Sequence, residues 1–262
     1  GWGVNYTQLE MYRRTEPHAG YQRLLDWTSR LGKPWCVYTS NIDGHFEKAG
    51  FAHEKVVTCH GDLQHLQCLR RDCRAEDPAE NVWSAECIPS GLGHLIDEGS
   101  LRFRDAADLE APYFRCPRCG GLCRPNVWFC HDRSKCLWED EVARRQFFNT
   151  WLDEIHERKA RLVVIECGGG MDIPTVRCEG EDAVENAGEH SLLVRLNPTD
   201  CRVPKSRAVG LPLGARDGLA CIASAMDRLM RQSGNRNGER QRSGSRRHRP
   251  AAKTSSSPAR RR

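Results

Sequence analysis

Two pairs of cysteines, far apart in the sequence, constrain the fold of this chain more than any other feature. Cys68 and Cys73 form a C-x4-C pair. Cys116 and Cys119 form a C-x2-C pair, which two glycines follow. Two such turns can converge on one zinc ion, which binds four thiolates in a tetrahedron. The glycines permit the tight turn that points backbone amides at the sulfurs. The spacing therefore predicts a small zinc-binding module.

The zinc of this module is predicted to be structural, because four protein ligands leave no coordination position open. Cys87 or Cys123 could replace one of the four ligands. The chain has fourteen cysteines, a number that would indicate disulfides in a short secreted protein. With 262 residues and an otherwise ordinary composition, it is predicted instead to be a reduced, intracellular protein. It contains no apolar run of eighteen residues, so no transmembrane helix and no membrane contact are expected.

Outside the cysteine-rich segment, strand and helix patterns alternate along the chain. Helices are predicted over residues 17–31, 138–159 and 215–231, and strands over residues 35–39, 55–59, 161–166 and 191–196. Such alternation is typical of an α/β domain with a parallel sheet. The alternation of strand and helix patterns stops between residues 61 and 124, where the cysteine pairs lie. The chain is therefore predicted to be one α/β domain that a small metal-binding module interrupts.

The C-terminal segment, residues 233–262, differs from the rest of the chain in charge and composition. It holds ten basic residues and one acid, a net charge of +9, which leaves −4 for the preceding 232 residues. It contains no Leu, Ile, Val or aromatic residue, so it is predicted to be a disordered tail. A solvated tail is the favoured interpretation, and contact with nucleic acid or a targeting role is the alternative.

Polar side chains follow two of the predicted strands. Ser40, Asn41 and Asp43 come after the strand at 35–39, and His60 ends the strand region at 55–59. The carboxyl edge of a parallel sheet commonly lines a ligand crevice. Histidine titrates near neutral pH, so His60 is a candidate general base. A plain Asn-x-Asp-Gly turn and a structural histidine are the alternative interpretations.

The order of the motifs along the chain resembles that of the sirtuins. TSNIDGHFEKAG, VVTCHGDL, the two cysteine pairs and CGGLCRPNVWF are similar to the sirtuin core, and IECGGGMDIPTVR, LLVRLNP and VGLPLGA to a bacterial-like branch. The resemblance spans residues 2–229. It implies a Rossmann-like NAD-binding domain, residues 1–60 and 125–232, beside a small zinc-binding module at 61–124.

The resemblance implies an NAD-dependent protein-lysine deacylase, with NAD and zinc as cofactors and acyl-lysine proteins as partners. In that family the acyl oxygen attacks the nicotinamide ribose, and nicotinamide leaves. His60 matches the family's general base, and Asn41 the residue that orients the ribose and the attacking water. Asp43 matches the residue that holds the nicotinamide carboxamide. Ser40 stands at a position that contacts the ribose.

The resemblance also implies residues for the two remaining parts of the site. The strand Val127, Trp128 and Phe129 matches the edge that receives the substrate peptide by β-augmentation. Gly168, Gly170 and Asn197 match the adenosine side of the NAD site.

The chain departs from the sirtuin pattern in four places. No counterpart of the family's N-terminal strand and Gly-rich phosphate loop is present, so this chain alone is expected to bind NAD poorly and turn over little. Ser40 replaces a glutamine, residues 129–132 replace Phe-Gly-Glu or Phe-Gly-Asp, and three glycines replace Gly-Thr-Ser. Mono-ADP-ribosyl transfer and a catalytically impaired zinc-binding interaction module are therefore the alternative functions.

Overall fold

The structure, a computed structural model, describes residues 1–70, 72–129, 139–204 and 206–245, without the side chains of 78, 79, 139–141 and 233–245. The helices are α1 (Trp2–Arg14), α2 (Ala19–Leu31), α3 (His45–Lys48), α4 (Glu139–Glu157), α5 (Thr175–Ala187) and α6 (Ala215–Ser245). The strands are β1 (Val37–Thr39), β2 (Val56–Thr58), β3 (Gly61–Cys68), β4 (Val82–Ser84), β5 (Ile96–Asp97), β6 (Arg102–Phe103), β7 (Cys123–Val127), β8 (Val163–Cys167), β9 (Leu192–Leu196) and β10 (Ala208–Leu211). Short 3-10 turns connect several of these elements.

The parallel strands form two groups. β1 pairs with β2, and β8, β9 and β10 form a three-stranded parallel sheet with β9 in the centre. The chain runs from β8 through α5 to β9, which is a β-α-β unit of the kind that parallel pairing requires. The predicted α/β class with parallel strands is confirmed. Among the described residues, no strand pairing joins the two groups.

The cysteine-rich segment builds an antiparallel module. β3 lies between β4 and β7, and β5 pairs with β6. Helix α1 shares the hydrophobic core of this module, where Trp2, Tyr6 and Leu9 are almost completely buried. Each such side chain contributes about 1.5–3 kcal/mol by its removal from water. The Trp2 indole also donates a hydrogen bond to the Cys123 carbonyl at 2.7 Å. Helix α1, which was assigned to the Rossmann-like domain, packs with the module instead. The division into domains at residues 60 and 124 stays a prediction.

Helices α4 and α5 cover the parallel strands. Phe148 of α4 packs its ring against that of Tyr38 in β1, with centroids 5.2 Å apart. Arg144 of α4, which is buried, donates to the Val56 carbonyl of β2 at 2.7 Å. A smaller apolar cluster joins α4 and α5 beneath β8. The helices therefore hold the strands whose carboxyl ends carry the predicted site.

The structure contains several helices and strands that were not predicted from the sequence. Helix α1, strand β3, helix α5 and strand β10 were not predicted. Helix α6 continues to Ser245, so the backbone of 233–245 is helical where a disordered tail was expected. Eight of these thirteen residues are Gly, Asn or Ser, so local helix propensity does not account for the extension, which continues a helix that has already formed. Residues 246–262 lie outside the described part, and nucleic-acid contact by the tail stays a prediction.

The chain divides into two compact units, residues 1–219 and residues 220–262. The first contains every strand and five of the helices together with the start of α6, and the second continues α6. No helix within the described ranges is long and apolar enough to cross a membrane.

Candidate functional site

Four cysteine sulfurs converge at one end of the antiparallel module. Cys68 ends β3, and Cys119 follows the 3-10 turn at residues 112–114; their Sγ atoms are 3.6 Å apart. The sulfurs of Cys73 and Cys116 are 3.8 Å apart, and all four lie within 4.8 Å of one another. Zinc–sulfur bonds of about 2.3 Å in a tetrahedron place sulfurs about 3.8 Å apart. The donor set and its spacing therefore fit zinc.

Backbone amides point at two of these sulfurs, as in a metal-binding knuckle. The amide of Gly121 donates to Cys119 Sγ, and that of Arg70 to Cys68 Sγ, both at 3.4 Å. Gly120 has a φ of +67°, a value that favours glycine, and so permits the turn. The Gly121 amide is the main cause that lowers the pKa of Cys119 to about 7, whereas burial raises the pKa of Cys68 to about 12. A bound metal would displace the protons that remain.

The two alternative ligands lie elsewhere. Cys123 is buried on β7, opposite Cys68 in the strand register, and its sulfur contacts the Tyr113 carbonyl at 4.0 Å. Cys87 is exposed, and its sulfur contacts the Ser84 carbonyl at 3.6 Å. Within the described part of the chain, the group at Cys68 is the only one of three or more metal-binding side chains close enough to share an ion.

The carboxyl ends of β1 and β2 bring Asn41 and His60 to the same edge. Thr39 of β1 pairs with Thr58 of β2, and the amide of Cys59 donates to the Thr39 carbonyl at 2.9 Å. Because both strands run in the same direction, the residues that follow them leave the sheet side by side. Ser40 is half-buried at this edge, and Asn41 is exposed there.

The environment of His60 suits a proton acceptor. Its Nε2 atom is buried and has no hydrogen-bond partner among the described residues. Its ring lies against the indole of Trp128, with centroids 5.4 Å apart, and its carbonyl accepts from the Trp128 amide at 2.9 Å. Burial lowers the pKa of His60 below its ordinary value of 6.5. The imidazole is therefore neutral at physiological pH, with a ring nitrogen left for a ligand.

Glycine is required directly after His60. Gly61 has a φ of +73°, and a Cβ atom there would lie 1.9 Å from the Asn126 carbonyl oxygen of β7. The tight turn from β2 into β3 therefore depends on glycine, and it places His60 next to the end of β7. The need for this tight turn explains why glycine follows the histidine in the sequence.

The loop that carries Asp43 is tied to the neighbouring strand. The amide of Leu63 in β3 donates to the Ile42 carbonyl at 3.0 Å. One carboxylate oxygen of Asp43 accepts from the His45 amide at 3.0 Å, and the other lies 3.5 Å from His45 Nδ1. Asp43 is half-buried. It therefore keeps acceptor capacity for a ligand amide while its orientation is held.

Tyr21 was missed by sequence reasoning, although it connects several parts of the edge. Its hydroxyl lies near the side chains of Asn41, Asp43 and Cys167. Burial raises the pKa of Tyr21 to about 12, with a further contribution from the charge of Asp43. The hydroxyl therefore stays protonated. Its position brings the end of β8 to the same region as the ends of β1 and β2. An aromatic residue in an apolar helix face gave no signal of this role.

The remaining predicted residues lie around this edge. Gly168 and Gly170 follow β8, and Asn197 follows β9. Val127 is buried at the end of β7, whereas Trp128 and Phe129 are exposed. Residues 130–132, which depart from the sirtuin pattern, lie outside the described part.

These features define an α/β protein with a four-cysteine metal module and a group of polar side chains at the carboxyl edge of its parallel strands. A family model described as the Sir2 family matches residues 4–147, more than half of the chain. The chain belongs to this family, and the resemblance to sirtuins is thereby confirmed.

Among curated proteins, the chain is 29% identical over 200 residues to a "Probable bifunctional ADP-ribose hydrolase/ADP-ribosyltransferase" of Fusarium oxysporum f. sp. cubense, covering 74% of this chain and 31% of that protein. It is 28% identical over 157 residues to bovine "NAD-dependent protein lipoamidase sirtuin-4, mitochondrial", covering 55% and 46%. It is 25% identical over 194 residues to an "NAD-dependent protein deacetylase" of Bacillus subtilis, covering 74% and 63%. The chain thus spans between 31% and 63% of the length of these relatives.

Solved structures share the fold. A Sir2 homolog in complex with NAD superposes with a TM-score of 0.54 at 18% identity, covering 87% of this chain and 72% of that one. A Sir2 homologue mutant in complex with ADP-ribose gives a TM-score of 0.55, with 87% and 74% covered. The Rossmann-type Sir2 fold is therefore shown for this chain.

Proposed function

We propose that this protein is an NAD-dependent protein-lysine deacylase, which transfers an acyl group from lysine to ADP-ribose and releases nicotinamide. The observation that carries the proposal is the buried, unpartnered Nε2 of His60 at the sheet edge that it shares with Asn41, in a chain of the Sir2 family. The relative named as an NAD-dependent protein deacetylase supports the same activity.

In this proposal, NAD supplies the activated ribose, and the chain's own residues position it and accept a proton. His60 acts as general base on a ribose hydroxyl, because its imidazole is neutral and its Nε2 is free within the described structure. Asn41, whose backbone amide donates to the Thr39 hydroxyl at 3.1 Å, orients the ribose and a water. Asp43 accepts hydrogen bonds from the nicotinamide carboxamide, and Ser40 contacts the ribose. Positioning two reactants in one crevice supplies much of the acceleration.

The substrate and the adenosine end of NAD lie on either side of His60 in this proposal. The exposed end of β7 receives the acyl-lysine peptide as an added strand, bordered by Val127, Trp128 and Phe129. Trp128 is joined to His60 through its backbone amide, which couples the peptide edge to the general base. Gly168, Gly170 and Asn197 receive the adenosine end of NAD.

The four cysteines bind a structural zinc in this proposal. Four thiolates complete the coordination shell, so zinc holds the turns together and takes no part in the reaction. Cys68, Cys73, Cys116 and Cys119 are the ligands. The twelve cysteines that the structure describes are all free thiols, which supports a reduced, intracellular environment.

Mono-ADP-ribosyl transfer is the second candidate function. The similarity to a fungal protein named as a probable ADP-ribose hydrolase and ADP-ribosyltransferase favours it. Both reactions activate NAD in the same way and differ in the acceptor. The presence of His60 favours deacylation, because acyl transfer to a ribose hydroxyl requires a base at that hydroxyl.

The test follows nicotinamide release from NAD with an acetyl-lysine peptide, together with the mass of the peptide. Deacylation removes the acyl group from the peptide, whereas ADP-ribosyl transfer adds ADP-ribose to it. His60→Gln should lower the rate at which the peptide loses its acyl group at least a hundredfold, because the base acts after nicotinamide has left. His65→Gln, a partly exposed histidine on β3 bonded to Asp62, is the matched control and should change it less than threefold. Equal losses in the two variants, or a peptide that gains ADP-ribose, would refute the deacylase proposal.

A further inference from the structure

Two loops leave neighbouring strands of the three-stranded sheet and lie next to each other. Cys167, the last residue of β8, pairs with Leu196, the last residue of β9. The amide of Gly168 then donates to the Leu196 carbonyl at 2.9 Å. The loops are residues 168–174 and residues 197–204. In open α/β sheets, ligands bind in the crevice outside the carboxyl ends of such strands.

Arg177 joins the two loops through its guanidinium group. One terminal nitrogen donates to the Gly169 carbonyl at 2.9 Å and to the Asp200 carbonyl at 2.8 Å. The other donates to the Arg202 carbonyl at 3.4 Å. Arg177 is buried, and its Nε has no acceptor within the described residues, so one donor remains that a ligand oxygen or a water could satisfy. A single side chain thus bridges the two loops.

The position of Arg177 in its helix is unfavourable for the helix itself. It is the third residue of α5, where the helix dipole favours negative charge, and the first turn has no acidic residue. An arginine at this place does not stabilise the helix end. Its contacts are all with the loops, which indicates that the loops are the reason for its presence.

Asn197 makes a second connection between the same loops. Its amide nitrogen donates to the Gly169 carbonyl at 3.0 Å, and its oxygen accepts from the amides of Thr199 and Asp200 at 3.1 and 2.9 Å. The Gly169 carbonyl therefore accepts from both Arg177 and Asn197. Both ends of the Asn197 amide bind to protein, so this residue shapes the loop between Asn197 and Asp200.

A buried ion pair supports this arrangement from the sheet below. Arg195 of β9 is 1% exposed and donates to both carboxylate oxygens of Glu166 in β8, at 2.8 and 2.7 Å. It also bonds to Glu181 of α5 and to the Arg202 carbonyl. The Arg202 carbonyl is thus shared by Arg177 and Arg195. The second loop therefore rests on this buried cluster of one arginine and two carboxylates.

The glycines of the first loop differ in their surroundings. A Cβ atom on Gly169 would lie 2.6 Å from a carboxylate oxygen of Glu166, so the buried cluster requires glycine there. A Cβ atom on Gly170 would meet no atom of the chain within 4 Å. Space is therefore open beside Gly170, and the fold places no demand on its side chain. A ligand that approaches the backbone closely at Gly170 would require that this residue has no side chain.

We propose that Arg177 is a positioning residue, which holds the two loops in the arrangement that receives the adenosine diphosphate half of a dinucleotide beside Gly170. The inference rests on the proposed function for the identity of the ligand. Arginine suits the task because its planar fork bonds several carbonyls at once, which a lysine ammonium in the same place cannot reproduce. Arg177 itself need not touch the ligand.

The test measures binding of ADP-ribose to the full chain by calorimetry. Arg177→Lys should raise the Kd at least tenfold, which corresponds to about 1.4 kcal/mol. Arg13→Lys is the matched control, because Arg13 also donates to two backbone carbonyls, of Ala85 and Ile88, but in the metal module. Its Kd should stay within twofold of the wild type. With NAD as substrate, Arg177→Lys should raise KM while kcat at saturation changes less than threefold.

A second pair of variants keeps the test decisive if Arg177→Lys folds poorly. Gly170→Val places its side chain in the open space and should raise the Kd for ADP-ribose at least tenfold with an unchanged melting temperature. Gly93→Val, also at a glycine with no atom within 4 Å, should leave the Kd unchanged.

Two outcomes separate this inference from the proposed function. A wild-type Kd in Arg177→Lys and Gly170→Val, or a wild-type chain that binds no ADP-ribose, would overturn the inference. Binding of ADP-ribose without any nicotinamide release would refute the deacylase proposal and leave the inference standing.

Discussion

The ion pair between Arg195 and Glu166 is the most completely buried charge in the described structure, with each side chain 1% exposed. We predict that its two members are coupled in stability. Arg195→Met replaces the guanidinium with an apolar chain of similar length and leaves the Glu166 carboxylate buried without its partner. Glu166→Gln keeps the shape of the carboxylate and removes its charge. The double variant removes both charges together.

The expected magnitudes follow from the contacts. Removal of one partner of a buried ion pair costs about 3–5 kcal/mol, so Arg195→Met should lose that much. Glu166→Gln should lose less, about 1–3 kcal/mol, because Arg195 keeps Glu181, which is 35% exposed, and the Arg202 carbonyl. The double variant should be at least ~1 kcal/mol more stable than Arg195→Met, because no uncompensated charge stays buried.

Urea denaturation followed by tryptophan fluorescence measures these differences in the free energy of unfolding. The dependence of this free energy on urea concentration must be the same in all variants. A chain of this size shifts its melting temperature by about 2–4 °C for each kcal/mol, so Arg195→Met should melt on the order of 10 °C lower. If the two single losses simply add in the double variant, or if Arg195→Met loses less than about 1 kcal/mol, the reasoning about this pair is wrong.

Three further predictions concern the metal and the turn at His60. Cys116→Ser should abolish zinc binding, measured as metal per chain by mass spectrometry, and lower the melting temperature; full zinc content in this variant would contradict the ligand set. Gly61→Ala should destabilise the fold by roughly 3 kcal/mol or more, because of the positive φ and the Asn126 carbonyl, as measured by thermal unfolding. Because burial lowers the pKa of His60, its neutral form is lost only as pH falls below 6.5. The acid limb of kcat/KM should therefore lie below pH 6.5, and a limb above 7 would argue against His60 as the base.

The strands that were predicted from the sequence are the ones with continuous apolar runs. β1, β2, β8 and β9 are of this kind. Strand β3 was missed because its sequence, GDLQHLQC, is mostly polar. Gln67 in that strand is 0% exposed, and the strand takes its place through pairing with β4 and β7. Its conformation is therefore determined by its pairing with β4 and β7 and not by its local sequence pattern.

The candidate site was predictable where its residues directly follow strands, as Asn41 and His60 do. The spacing of the cysteine pairs likewise predicted the four ligands whose sulfurs converge. Only the structure could exclude Cys87 and Cys123 as metal ligands. Tyr21, Arg177 and Arg195 were not predictable. Their roles depend on contacts with residues distant in sequence, and an arginine in a strand or helix carries no local sign that it is buried.

The packing of α1 has a consequence for biosynthesis. Trp2 bonds to Cys123, which lies 121 residues further along the chain, so the apolar face of α1 leaves the ribosome long before its partners. At 5–20 residues per second, the interval is about 6–24 s. During that time the helix cannot dock, and the metal turns are still incomplete. Zinc loading and burial of this face should therefore be completed only after residue 123 has been synthesised.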